Sequence, residues 1–78
     1  MKKYEKLLQK LSGKNRKLVI GAMRRLRAGD TLGLNIGMLR QNYYRCKVGN
    51  YRIFFHHENG KIEIDDVKRR NEDTYRDV

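Results

Sequence analysis

The spacing of apolar residues changes once along the chain, near residue 42. Before that point it is helical. Tyr4, Leu7, Leu8 and Leu11 stand at i, i+3, i+4 and i+7, one face of a helix predicted over residues 3–11. Lys2, Lys3, Lys6 and Lys10 fall off that face. Ser12-Gly13 interrupts the pattern. A second helix is predicted over residues 14–28, with an apolar stripe of Val19, Ala22, Met23 and Leu26 flanked by Leu18 and Ile20. Gly29 stands where a C-terminal cap belongs. Arg24, Arg25 and Arg27 crowd the last turn, where cations oppose the negative end of the helix dipole. The two helices are expected to form an antiparallel hairpin. Residues 30–42 read as a Gly- and Asn-containing connection, with Met38 and Leu39 buried inside it.

After Asn42 the period is two. Residues 43–48, 51–58 and 61–67 are predicted strands, separated by Gly49-Asn50 and Asn59-Gly60. The second pair is a strong type I′ hairpin signal. The tail, 71–78, is expected to make one short helical turn. The whole chain is read as a single α+β domain over residues 1–78, ordered α-α-β-β-β, with the hairpin on one face of an antiparallel sheet. Two-residue turns place Tyr44, Cys46, Val48, Tyr51, Ile53 and Phe55 toward the helices. Arg45, Lys47, Arg52, Phe54 and His56 then face away. In the third strand Ile62 and Ile64 point inward. Strict alternation would also bury Asp66 and expose Val67, a conflict that predicts a bulge or an ion pair.

Charge sharpens this picture. The 78 residues carry 19 Lys+Arg against 9 Asp+Glu, a formal net charge of +10. That balance points to a polyanionic partner. Residues 1–30 hold ten of the cations and two acids, a net of +8. Cys46 is the only cysteine, which excludes an internal disulfide or a paired-Cys zinc site. It is predicted to be buried and inert. No apolar run reaches the length of a membrane span or a signal-peptide core, so a cytoplasmic protein is expected. Metal ligands are not expected either. His56 and His57 are adjacent in a strand and point apart, and alternation divides Glu63, Asp65 and Asp66 between two faces.

The candidate chemistry lies on the predicted open face. Lys47 and Arg52 fall opposite each other, with Arg45 diagonal to them. Like charges facing each other across a ladder are destabilising, so a sheet that keeps three of them has a use for them. Such a patch suits a phosphodiester, and suits still better the extra negative charge of a pentacovalent phosphate. Phe54 on the same face can stack on an unpaired base. Lys68, Arg69, Arg70 and Tyr75 add further cations and a phenol after the third strand.

Residues 43–55, Tyr-Tyr-Arg-Cys-Lys-Val-Gly-Asn-Tyr-Arg-Ile-Phe-Phe, are followed by an Asn-Gly hairpin. Val-Lys-Arg-Arg-Asn-Glu-Asp-Thr-Tyr-Arg closes the series at residues 67–76. In these segments the chain resembles the RelE/ParE toxin superfamily, over nearly its whole length. The resemblance implies a fold like that of microbial ribonucleases and the role of a toxin in a type II toxin–antitoxin system. RelE-type members cleave mRNA in the ribosomal A site, without metal or cofactor, and are held inactive by an acidic antitoxin. Arg45 and Lys47 match the strand residues that hold the mRNA backbone and stabilise the transition state. Arg52 matches the arginine that binds the scissile phosphate. Arg69 or Arg70 matches the arginine that assists the leaving 5′-oxygen, and Tyr75 the tyrosine that helps activate the 2′-hydroxyl. Phe54 and Lys68 are expected to contact RNA.

Some relatives use Glu and His as base and acid. His56, Glu63 opposite it and Glu72 near Tyr75 are read here as surface or structural residues, and His57 as a core-edge residue. The family usually opens with a strand before the hairpin, whereas this sequence starts almost inside the first helix. An uncovered sheet edge is therefore expected. Two other functions remain open at this point: a ParE-like inhibitor of DNA gyrase that cuts nothing, and a non-catalytic RNA-binding domain.

Overall fold

Ser12 closes one helix and opens the next. In the computed structural model, which describes residues 3–69, its side chain accepts the Asn15 N–H at 3.3 Å and so N-caps the second helix. The helices are α1 (Lys3–Lys10) and α2 (Gly13–Arg27), and the strands β1 (Asn35–Arg40), β2 (Tyr43–Val48), β3 (Tyr51–Glu58) and β4 (Lys61–Arg69). Past α2, Gly29 takes φ +78°. Its N–H bonds Leu26 O, and the Asp30 N–H bonds Arg25 O, which together satisfy two of the last carbonyls of the helix.

Two side-chain ties make the helices antiparallel. The Arg16 guanidinium, near the start of α2, donates to the carbonyls of Leu8 and Gln9 at the end of α1 (3.0 and 2.9 Å). At the other ends, Arg27 reaches the Tyr4 hydroxyl at 3.2 Å. Val19, Ala22, Met23 and Leu26 are buried, the stripe that the helical spacing predicts. From α1, Tyr4 and Leu11 are buried and Leu7 and Leu8 are half-buried against the core.

The strands form one antiparallel sheet in the order β1-β2-β3-β4. Its helix-side face supplies Cys46, Val48, Tyr51, Ile53, Phe55, Ile64 and Val67 to the core. Asn59 and Gly60 both have positive φ, as a type I′ turn requires. Phe54 pairs with Asp66 and Phe55 with Ile64, so Asp65 is an extra residue in β4. This bulge resolves the parity conflict. Val67 returns to the core, and Asp66 stays on the open face.

Two expectations are corrected. The segment read as a connection contains β1, so the sheet has four strands among the described residues. Gly37 and Asn35 weaken its strand signal, and pairing with β2 overrides that local preference. Met38 and Leu39 are not buried: they are 67% and 52% exposed. Met38 pairs with Tyr44, on the helix-side face. The helices pack on β2, β3 and β4 and leave this edge strand largely uncovered.

Candidate nucleic-acid interface

Register builds the open face in rows. Lys47 stands opposite Arg52, and Arg52 opposite Lys68, so three cations cross three neighbouring strands. Strands lie about 4.8 Å apart, which makes the row about 10 Å wide. Asn35 of β1 continues it beyond Lys47. The next row holds Gly37, Arg45, Phe54 and Asp66. The expected pairing of Lys47 with Arg52, and the diagonal place of Arg45, are both present. The Lys68 ammonium lies 6.0 Å from the centre of the Phe54 ring, which keeps the ring among cations.

Arg45 is held against the neighbouring strand. Its guanidinium lies across Gly37 of β1. A Cβ at position 37 would stand 3.3 Å from Arg45 Nη2 and 3.5 Å from Cζ. Arg45 Nη1 is buried and has no hydrogen-bond acceptor among the described residues. A buried donor left in this state raises the free energy, and an anionic oxygen relieves it best. Gly37 was not legible as a site residue, because its role appears only once 35–40 is known to be a strand in register with β2.

A third row holds Tyr43, His56 and Glu63. Glu63 is opposite His56 as parity predicts, but the imidazole bonds elsewhere. Nδ1 lies 2.8 Å from Asp65 Oδ2, and Nε2 3.4 Å from Glu58 Oε2. The bond to Asp65 raises the His56 pKa above its ordinary value, with smaller help from Glu58. Alternation already puts Asp65 on this face, and the bulge leaves its carboxylate there as the extra residue between Ile64 and Asp66. Even so, no group of three or more His, Cys, Asp or Glu able to hold a metal occurs among the described residues. The open face is thus cationic at the Lys47–Arg52–Lys68 end, while at the other end the Glu58, Glu63 and Asp65 carboxylates share it with Arg40 and Lys61.

Of the remaining expectations, Arg69 pairs with Tyr51, whose side chain faces the helices, so register places it off the cationic row. Arg70 and Tyr75 lie outside the described residues, as do Glu72 and the tail turn. His57 is exposed at the rim of the helix-side face, edge-on to Tyr44 at 5.2 Å. Cys46 is fully buried, and burial pushes its thiol pKa up. No described helix is long and apolar enough to cross a membrane.

An antiparallel helical hairpin on a four-stranded antiparallel sheet is the RelE-like fold. One chain of the RelB-RelE antitoxin-toxin complex from Methanococcus jannaschii is similar, with a TM-score of 0.74 and 26% identity. The match covers 99% of this chain and 93% of that one. A family model described as "ParE toxin of type II toxin-antitoxin system, parDE" matches residues 2–74, and the chain belongs to that toxin family. No curated protein matches it.

Proposed function

We propose that this toxin is an RNA-cleaving member of its superfamily, a ribosome-dependent endoribonuclease directed at mRNA. The observation that carries this reading is the cationic row Lys47–Arg52–Lys68, with Arg45 and Phe54 beside it. A row of cations is suited to a phosphodiester, and an aromatic among them to an unpaired base. The 2′-oxygen of one ribose attacks the adjacent phosphorus. The P–O5′ bond breaks, leaving a 2′,3′-cyclic phosphate and a 5′-hydroxyl. Arg52 and Lys47 hold the non-bridging oxygens and Arg45 takes up charge that develops there. Tyr75 takes the 2′-hydroxyl proton; Arg70 assists the leaving oxygen, since register turns Arg69 toward the helix side, and that oxygen takes its proton from solvent. An ordinary phenol, with a pKa near 10, is a weak base at neutral pH, so neighbouring cations must favour its phenolate. Alignment and charge stabilisation carry the rate, and neither metal nor cofactor takes part. The partners are an acidic antitoxin, which complements the +10 charge, and the ribosome with mRNA in its A site. The setting is the cytoplasm.

The test is to induce the protein in bacteria lacking its antitoxin and map 5′ ends on translated and untranslated copies of one mRNA. Cuts within codons on the translated copy alone are expected. The match to the ParE family model favours a second reading, a gyrase inhibitor that cuts no RNA. Growth arrest with intact mRNA and induced DNA damage would select it.

A further inference from the structure

The cationic row does not end at Lys47. That residue also lines a cavity of about 440 Å³ between α2, the start of β1 and the β2–β3 turn. Lys17 and Arg25 of α2 line it as well, and among the described residues no carboxylate does. The Arg25 guanidinium is already fixed: Nε and Nη2 donate to the Asp30 carboxylate at 3.1 and 3.4 Å, and Nη2 also to Leu32 O. None of these bonds uses Nη1. Leu18, Leu34 and Val48 supply apolar wall. The room comes from glycines. An added Cβ at Gly21 or Gly33 would meet nothing within 4 Å. Gly49, at φ +56°, lets Leu18 close over the turn, since a Cβ there would stand 3.1 Å from Leu18 Cδ2.

We propose that this cavity is a nucleotide subsite for single-stranded RNA, next to the scissile position and continuous with it through Lys47. Lys17 and Arg25 receive the flanking phosphate, and the apolar wall takes the base or sugar. The volume is in the range of small-ligand sites, and the lining pairs cations with apolar surface, as a nucleotide does. A glycine in a helix interior lowers helix stability relative to most residues, so Gly21 is a residue whose use is the space it leaves. This inference rests on the RNA reading above and extends it to a second contact.

The probe is 2′-O-methyl hexauridylate, which lacks the attacking hydroxyl. Its binding is measured by fluorescence anisotropy and mapped by amide NMR shifts. Shifts at Gly21, Gly33 and Gly49, together with those of the sheet, are expected. Gly21→Leu fills the cavity with a better helix former. It should weaken binding about tenfold without lowering the thermal midpoint, and Arg52→Ala should weaken it too. If Arg52→Ala weakens binding while Gly21→Leu binds as the wild type and the glycine amides stay still, the subsite is wrong and the RNA reading stands. If the wild type does not bind the probe, or Arg52→Ala binds it equally well, the subsite falls, and the ribosome-dependent reading is decided by the 5′-end mapping alone.

Discussion

Arg45, Lys47 and Arg52 were placed on one face by alternation alone, and register confirms that placement for each. Their catalytic duty is a matter for mutants. Arg52→Ala and Tyr75→Phe should each abolish growth arrest while leaving the circular dichroism spectrum intact. Full toxicity in both variants would remove the ribonuclease assignment. Gly37 supplies a sharper test, because it touches the chemistry only through Arg45. Gly37→Val suits a strand but needs the 3.3 Å space that the guanidinium occupies. It should cut mRNA cleavage about tenfold or more with folding retained, and Gly37→Ala should cut it less.

His56 makes a pH prediction. Its bond to Asp65 raises its pKa in the folded state. The stabilisation is therefore complete below the unfolded value of about 6.5 and is lost as pH rises through the higher folded value. The thermal midpoint of the wild type should exceed that of Asp65→Asn in mild acid. The gap should close on the alkaline side, and a gap constant with pH would exclude this ion pair.

At the level of elements, legibility followed how much each segment depends on its neighbours. Both helices were readable because capping and the i, i+3, i+4 stripe are local signals. Ser12→Ala should accordingly cost about 1 kcal/mol in urea unfolding. The Asn59-Gly60 turn was readable because few other residues accept positive φ in both positions. β1 was not readable. It is an edge strand interrupted by Gly37, and half of its pattern faces no core, so Met38 and Leu39 carry no alternation signal. The bulge at Asp65 lies between these cases. Sequence exposed the conflict at Asp66 and Val67, but only pairing with β3 located the extra residue.

For the molecule as a whole, the helical hairpin and the sheet meet through a small set of buried residues, of which Phe55, Leu26, Ile53 and Val19 are the largest fully buried apart from Cys46. A domain this small has little stability in reserve. Leu26→Ala should remove about 2–5 kcal/mol, measurable as a lower urea midpoint, and should reduce toxicity through loss of folded protein. The four cations Arg45, Lys47, Arg52 and Lys68 set an expectation for binding as well. The logarithm of RNA affinity should fall with the logarithm of salt at a slope of about −3. A slope near zero would mean that the cationic face does not meet phosphate.

Sequence by itself determined the two helices, the strands β2, β3 and β4, the faces of β2 and β3, and the polyanion-seeking charge. Each of these follows from periodicity, turn chemistry or a count of ionised groups, which need no knowledge of distant residues. Tertiary structure alone decided that residues 35–40 form an edge strand, that Gly37 beds Arg45, that Asp65 is the extra residue of β4 and bonds His56, and that glycines in three segments line one cavity beside Lys47. These depend on which backbones come to lie side by side. A glycine's missing side chain or an extra residue in a strand has meaning only against the neighbour it is measured from.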